Sequence, residues 1–206
     1  MDDFFCYLTD AFGVDSPFSL DEVKFRDYSR PWICKQLRLL CDDSKVSRYS
    51  RGIYFIPSET VLGKSVLNPR KVLEKKYLGE KKDVKGFFCG LALLNQMGLS
   101  SQMPNVLEIM TNVEDSRCRK INVGNQKVVL KKTRVPVNRN NIAVLQLLEV
   151  MSEREKEYYT EERRSILKRF ISENRISRKD IGSYLKYYPA RTAKNLLESE
   201  VVYAAR

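Results

Sequence analysis

Histidine is absent from the 206-residue sequence. Its absence excludes Ser-His-Asp triads, histidine metal ligands and imidazole acid–base catalysis. The five cysteines are scattered and form no C-x-x-C pair, so we expect buried free thiols rather than disulfides or a zinc site. The sequence accordingly predicts no cofactor and no metal.

Long apolar runs are also lacking. The longest, GFFCGLALL at residues 86–94, is too short to span a bilayer. The N-terminus MDDFFCYLTD is acidic, where a secretory signal peptide would be basic. With 43% hydrophobic residues the chain still has enough apolar side chains to form a core. These features predict a globular, cytoplasmic protein without a membrane segment.

Motifs of enzymes that act on nucleotides or nucleic acids are incomplete. The segment SETVLGKS ends like a phosphate-binding loop but begins with Ser58, where that loop needs its first glycine. Glu74-x-Lys76 and Glu80-x-Lys82 have a nuclease-like spacing. Both pairs lie in one solvated helical charge run, however, and no acidic residue on a preceding strand accompanies them. We therefore predict that the protein is not an enzyme.

Basic charge begins abruptly along the chain. Residues 1–28 hold seven acidic and two basic side chains, whereas residues 29–57 hold six basic and two acidic ones. The whole chain has a formal net charge of +11. This asymmetry predicts a polyanionic partner, although a solvated basic surface gives a similar composition.

Three helices are predicted before residue 45. Apolar residues at helical spacing predict the first over residues 2–12. The capping-box pattern SLDE predicts that a second helix begins at Ser19. Ser29 as the cap, with Pro31 in the first turn, predicts a third helix over residues 29–41.

A β-hairpin is predicted directly after the third helix. Its strands cover residues 45–49 and 53–56, and its turn covers residues 50–52. Three helices followed by a hairpin is the order of elements in a winged helix-turn-helix. In that fold the third helix enters the major groove of DNA and the hairpin, or wing, lies over the flanking backbone.

The third predicted helix separates apolar from basic side chains. Ile33, Leu37, Leu40 and Cys41 form one stripe. At about 100° per residue, Lys35 and Arg38 point the opposite way. In a winged helix these two cations face bases or phosphates. The alternative is that they only solvate a surface helix, as any amphipathic helix requires.

The predicted hairpin carries paired cations around its turn. Arg48 and Arg51 bracket Tyr49 and Ser50 in the stretch VSRYSRGIYFIP. Such cations hold phosphates and position a protein on a duplex while reading little sequence. Tyr49 is first a packing residue and can also donate its hydroxyl to a phosphate. Lys45, at the start of the hairpin, belongs to the same predicted DNA-binding set.

The middle of the chain predicts a mixed α/β unit. Helices are expected after the pair Asn68-Pro69 and over the apolar residues 86–98, and Asn138 or Asn140 caps a further helix. Three strands lie between the last two helices, over residues 106–111, 118–123 and 127–132.

Four cations cluster on the last of these strands and just after it. They are Lys127, Lys131, Lys132 and Arg134. They form either a partner-binding face or a basic edge strand that resists aggregation. The sequence favours neither alternative.

The C-terminal region, residues 151–206, is predicted to be helical and strongly charged. Ser177 caps one helix and Pro189 begins another. These helices either pack on the middle domain or bind a partner. The predicted fold class is thus α+β, with an N-terminal winged helix-turn-helix domain (residues 1–57), a mixed α/β middle domain (residues 58–150) and this helical C-terminal tail.

From about residue 27 to residue 151 the chain resembles the AbiEi family of antitoxin-type transcriptional regulators. The resemblance is carried by VSRYSRGIYFIP, GLALLNQMGLSSQMPNVLEIMTN and RVPVNRNNIAVLQLLEVM, and later only by YPARTAKNLLE. It implies a winged helix that represses its own operon at inverted repeats in double-stranded DNA. It also implies a C-terminal part that counteracts a cognate nucleotidyltransferase toxin, as in type IV toxin–antitoxin systems.

The resemblance further implies which side chains contact DNA. They are Ser29, Arg30, Lys35 and Arg38 on the third helix, and Arg48, Ser50 and Arg51 on the wing. One departure lies at residues 42–44, where this chain has DDS and similar proteins have a glycine. Two carboxylates beside a phosphate backbone weaken binding unless the loop turns away.

Two functions are consistent with these features. The first is a DNA-binding autorepressor and antitoxin, whose affinity for DNA falls steeply with salt. The alternative is an adaptor whose winged helix docks protein and does not bind DNA. A flat salt dependence would favour the adaptor.

Overall fold

The computed structural model describes residues 2–61, 63–80 and 83–205. The chain divides into two compact units, Met1–Lys75 and Lys76–Arg206. Helices and several sheets occur together, so the predicted α+β class is confirmed. Within the described ranges no helix is long and apolar enough to cross a lipid bilayer.

The first unit combines helices with a three-stranded sheet. Its elements are α1 (Asp2–Phe12), β1 (Phe18–Ser19), a 3-10 turn (Leu20–Glu22), α2 (Arg30–Asp42), β2 (Ser47–Ser50), β3 (Ile53–Phe55), β4 (Glu59–Thr60), β5 (Gly63–Lys64) and α3 (Pro69–Leu73). Strand β3 is central and antiparallel to both β1 and β2. Strands β4 and β5 form a separate hairpin.

Aromatic side chains connect the helices of the first unit. The ring centroid of Phe4 lies 5.1 Å from that of Phe25 and 5.5 Å from that of Trp32. Such pairs contribute about 0.5–1.5 kcal/mol each beyond the burial of their area. The core also contains apolar side chains from α1, the sheet and α2: Leu8, Phe18, Ile33, Leu37, Leu40, Val46 and Ile56.

The second predicted helix is only a 3-10 turn. The backbone N–H of Ser19 donates to Oε2 of Glu22 at 2.8 Å, as the capping box indicates, but no α-helix follows. Val23 and Phe25 are both buried, and this two-residue alternation suits extended chain. Arg26 then has a φ of +47°, which no helix contains. The prediction of a helix here is therefore wrong.

The second unit begins at Lys76, within a π-helical turn (Glu74–Leu78), and contains a mixed sheet and helices. Its elements are β6 (Gly79–Glu80), β7 (Asp83–Val84), β8 (Gly86–Cys89), α4 (Gly90–Gln96), β9 (Val106–Thr111), β10 (Cys118–Val123), β11 (Gln126–Lys132), α5 (Ile142–Glu153), a 3-10 turn (Lys156–Tyr158), α6 (Glu161–Glu173), α7 (Arg178–Leu185), α8 (Ala190–Glu198) and a last 3-10 turn (Val201–Ala204). The main sheet has the order β10-β11-β9-β8, in which only β11 and β9 are parallel.

One apolar core joins this sheet to the helices. Phe87 and Met110 come from the sheet, Leu148 from α5, Leu167 from α6 and Leu196 from α8. The C-terminal helices are thus part of the second unit's core. This arrangement fixes where their outward faces point.

The apolar segment predicted as one helix is a strand followed by a helix. Residues of β8 pair with β9, and α4 begins only at Gly90, whose φ is +59°. A short apolar run fits a buried strand as well as a buried helix, because its periodicity does not distinguish them. The pairing with β9 therefore decides the structure of this segment.

Other local predictions fare better. Helix α1 and strands β9 and β10 have the predicted bounds. Asn68 and Ser177 cap their helices with side-chain hydrogen bonds. The cap of α5 is Asn141 rather than Asn138 or Asn140. Oδ1 of Asn138 instead accepts the backbone N–H groups of Asn140 and Asn141.

Candidate nucleic-acid interface

Helix α2 presents its basic face to solvent. It begins after Ser29 with Pro31 in its first turn, as predicted. Ile33, Leu37 and Leu40 are buried and Cys41 is half-buried, so the predicted core face is confirmed for three of its four residues.

Two of the three cations of α2 lie on the opposite side. Lys35 and Arg38 are exposed. Among the described residues, neither has a hydrogen-bond or ion-pair partner. Their charges are therefore available to an external anion.

The β2–β3 hairpin ends in a tight turn that projects a third such cation. Gly52 has a φ of +76°, which favours glycine. Arg51 precedes it, is exposed, and has no ion-pair partner in the described part of the chain. Nε of Arg48 lies 3.4 Å from the carbonyl oxygen of Ser50, and the pairing register shifts between these two residues. This irregularity bends the hairpin near its tip.

The remaining predicted contacts differ in their availability. Nη1 of Arg30 lies 2.6 Å from Oδ1 of Asp21, and both side chains are well exposed. Exposed pairs of this kind contribute little, so Arg30 can exchange its partner. Nζ of Lys45 lies 5.6 Å from the ring centroid of Phe5. Ser29 is exposed at the helix start.

Tyr49 is not a phosphate ligand in this structure. Its hydroxyl oxygen is buried and has no hydrogen-bond partner among the described residues. Burial raises the pKa of the Tyr49 phenol. Since a hydroxyl turned into the protein cannot donate to a phosphate, Tyr49 serves packing alone.

Two further side chains share the outward face of α2. Leu39 is 38% exposed and Cys34 is exposed. The same rotation of about 100° per residue that selects Lys35 and Arg38 also selects these positions. Both residues are uncharged, so the charge pattern of the sequence does not select them. They add an apolar and a thiol contact to a face that is otherwise basic.

The cysteines as a set are less buried than expected. Only Cys89 is buried, and Cys41 is half-buried. Cys6, Cys34 and Cys118 are exposed, and all five thiols are free. The expectation of burial is thus wrong for three of them, because it rests on composition and not on the face each residue occupies.

The end of α2 carries two acidic residues. Asp42 ends the helix, and Asp43 follows it with an exposed side chain. Ser44 has a φ of +56°, and its carbonyl oxygen accepts a hydrogen bond from Nζ of Lys64. Such a positive φ is one that glycine adopts more readily than serine.

In the second unit, two of the four predicted partner-binding cations have internal partners. Nζ of Lys131 lies 2.5 Å from Oε2 of Glu108. Nε of Arg134 lies 3.6 Å from Oε2 of Glu149, and its guanidinium lies 5.0 Å from the ring centroid of Tyr188. These contacts stabilise the unit rather than leave the charges free.

The four cations also do not share one face. Lys127 and Lys131 lie on one side of the pleated sheet and Lys132 on the other, since side chains alternate along β11. Strand β11 pairs on both sides, with β10 and with β9. It is not an edge strand, so the anti-aggregation interpretation is wrong. The partner-face interpretation keeps only the exposed Lys127 and Lys132.

Glu149 makes the stability of the second unit sensitive to pH. Its side chain is 3% exposed, and burial raises its pKa to about 6, although Arg134 opposes this shift. The folded state therefore holds this proton more tightly than the unfolded chain does. This stabilisation is present below about pH 4.5 and is lost as the pH rises to about 6, so we expect the unfolding free energy to fall by about 2 kcal/mol.

Urea unfolding at a series of pH values across this window measures the effect. In Glu149→Gln the fall should largely disappear, whatever the variant's absolute stability. The exposed Glu155→Gln serves as the control and should keep the wild-type slope. An unchanged slope in Glu149→Gln would show that another group causes the dependence.

Residues 23–175, most of the chain, match a family of unknown function, DUF6088. No curated protein and no solved structure matches the chain. The matched range includes α2, the hairpin and the main sheet.

Proposed function

The chain belongs to the DUF6088 family, whose function is unknown, and we propose from its own residues that it is a DNA-binding transcriptional repressor. Helix α2 enters the major groove, and the β2–β3 hairpin lies over the flanking phosphates. The protein performs no catalysis in this proposal. Its activity is to occupy a DNA site.

One observation carries the proposal. Lys35, Arg38 and Arg51 are exposed cations on one helix and on the hairpin that follows it, and the described residues offer them no ion-pair partner. Acids do pair with other cations of the same unit, such as Arg26 and Arg30. Charges left unpaired beside an acid-rich N-terminal segment suit a polyanion.

The order of elements supports a winged helix. Strand β3 lies between β1 and β2, so the hairpin is continuous with a strand that comes before α2. In this proposal the 3-10 turn occupies the place of the second helix of the helix-turn-helix. Tyr28 and Trp32 stack at 4.0 Å between centroids and fix the start of α2 on the unit.

The more specific roles rest on the resemblance alone. Autorepression at inverted repeats, and the counteraction of a nucleotidyltransferase toxin, stay predictions. The adaptor alternative has one observation in its favour, the exposed Leu39 on the outward face of α2. A protein partner would cover such a side chain, and salt dependence separates the two functions.

Fluorescence anisotropy on duplex DNA from upstream of the protein's own gene tests the proposal. With about 4–6 phosphates contacted, log K should fall against log[salt] with a slope of roughly −4 to −5. Arg51→Ala should weaken binding to all sequences and reduce the slope by about 1. Lys35→Ala should cost about 1–3 kcal/mol on the specific duplex and less on a scrambled one.

Lys120→Ala is the matched control. Lys120 is an exposed residue of β10, and its substitution removes one positive charge from the second unit. We expect this variant to bind DNA with near-wild-type affinity. Equal losses in Lys120→Ala, Arg51→Ala and Lys35→Ala would mean that net charge alone governs binding. If the wild-type protein does not bind the upstream duplex near physiological salt, the repressor function is ruled out.

A further inference from the structure

We propose that helices α7 and α8, which both pack on α5, form a second DNA-binding helix-turn-helix, in which α8 enters the major groove of duplex DNA. The site is separate from α2 and the hairpin. It lies in the second unit, and its evidence does not depend on the first unit. The chain would then have two DNA-contacting modules.

The spacing of these helices matches a helix-turn-helix. Helix α7 ends at Leu185 and α8 begins at Ala190, so a turn of four residues joins them. Turns of about three to four residues are typical of this motif. The preceding α6 supplies Leu167 and Ile171 to a core that also holds Ile181 of α7.

Helix α8 has one buried and one basic face. The buried side chains recur at helical spacing: Thr192, Asn195, Leu196 and Ser199. The opposite face is exposed: Ala190, Arg191, Lys194 and Leu197. This is the division that a recognition helix needs, with one stripe in the core and one directed outward.

Specific hydrogen bonds hold the outward face in place. The Asn195 amide donates to the carbonyl oxygens of Met151 at 2.8 Å and Arg154 at 2.7 Å, both at the end of α5. In the turn before α8, the Tyr188 hydroxyl donates to the carbonyl oxygen of Leu145 at 3.2 Å. These hydrogen bonds hold α8 on α5 at its start and at its centre. The position of its outward cations is therefore fixed relative to α5.

The local charge favours a polyanion. Residues 163–194 contain ten basic and only two acidic side chains. Several of the arginines satisfy carbonyl groups inside the unit: Arg163, Arg164 and Arg178. The cations of α8 have weaker ties, with Arg191 and Lys194 each 4.0 Å from an acidic oxygen, and exposed pairs at this distance contribute little.

The positions along α8 fit duplex DNA. Residues at the start of a recognition helix reach base edges, and Arg191 is at the second position of α8 after the small Ala190. Lys194 follows one turn later. Before the helix, Nζ of Lys186 lies 5.1 Å from the ring centroid of the exposed Tyr187, where both side chains can contact phosphate.

The test compares two double variants of the full-length protein on one upstream duplex. Arg191→Ala/Lys194→Ala removes the α8 cations, and Lys35→Ala/Arg38→Ala removes those of α2. We expect each to weaken binding by about 10- to 100-fold and to reduce the salt slope by about 2. Hydroxyl-radical footprinting should show a different protected segment lost in each variant. Arg117→Ala/Lys120→Ala, with the same change in charge on exposed side chains outside both sites, should bind nearly as wild type.

The outcomes separate this inference from the proposed repressor. Wild-type affinity and footprint in the α8 variant, with loss in the α2 variant, would overturn the second module and leave the repressor intact. Loss only in the α8 variant would support the second module and overturn the role of α2. The variant Arg191→Lys/Lys194→Arg keeps both charges and should bind as wild type. If it loses affinity as the α8 alanine variant does, and circular dichroism shows altered helix content, the loss is structural and the module is rejected. Binding of an acidic protein at α8 without any change on DNA would also overturn it.

Discussion

Replacing Gly86 with alanine is expected to destabilise the second unit by at least about 3 kcal/mol or to prevent its folding. A Cβ atom at this position would lie 2.3 Å from the carbonyl oxygen of Met110 and 2.6 Å from that of Tyr77. It would also lie 3.0 Å from Cα of Thr111. All three are backbone atoms, so no side-chain rotation relieves the overlap. Strand β8 would have to separate from β9.

The second unit contains its own matched control. Gly182 is on α7, and nothing lies within 4 Å of the position its Cβ would take. Gly182→Ala should therefore stabilise the protein by about 0.5–1 kcal/mol, the difference between glycine and alanine in a helix interior. Urea unfolding followed by circular dichroism measures both variants. Similar stabilities for Gly86→Ala and the wild type would mean that β8 does not pack as described.

Gly86 also explains why the sequence misleads at this segment. The run GFFCGLALL is apolar throughout, so its pattern gives no period that separates strand from helix. What makes its first part a strand is the close approach of β9, a segment about twenty residues later. Contacts between residues this far apart in the sequence do not affect the hydrophobic pattern of the segment itself. The second predicted helix fails for a similar reason, because Val23 and Phe25 are drawn into the core.

Local signals predict their elements well. Helix α2 starts at the position that Ser29 and Pro31 indicate, and its buried stripe is the predicted one. Asn68 and Ser177 also mark true helix starts. Caps and helical periodicity act within one or two turns, so the sequence alone contains the information. Exposure of Lys35 and Arg38 follows directly from that periodicity.

Pairing between distant residues is what the sequence does not reveal. Lys131 reads as a surface cation, yet its partner Glu108 is 23 residues away along the chain. Arg134 likewise meets Glu149 only because β11 and α5 pack together. Such contacts turn candidate binding residues into structural ones.

The outward face of α8 was predictable in part. Thr192, Asn195 and Leu196 recur at helical spacing, and this pattern marks one side of a helix for burial. Since two of these residues are polar, hydrophobicity alone gives a weak signal. The hydrogen bonds of Asn195 to the end of α5 explain why a polar side chain is tolerated in the core. They also connect the stability of the unit to the presentation of Arg191.

Reversing the two cations of α2 is expected to abolish specific DNA binding. Lys35→Glu/Arg38→Glu replaces two attractive charges by two repulsive ones on the face that meets the duplex, and we expect affinity to fall by more than about 100-fold near physiological salt. Both positions are exposed and have no ion-pair partner among the described residues, so folding should be unaffected. Anisotropy on the upstream duplex measures the loss, and circular dichroism checks the fold.

A second charge reversal decides whether this loss reflects a local contact or the overall field. Arg117→Glu/Lys120→Glu changes the net charge by the same amount on exposed side chains just before and on β10, and we expect less than about a tenfold loss. Equal losses in the two variants would mean that α2 has no privileged contact.

Asp42 lies two turns after Lys35 on the same helix, so its repulsion should act at the far end of the groove contact. Neutralising it as Asp42→Asn should then tighten binding modestly, because the start of the helix approaches the bases more closely than its end.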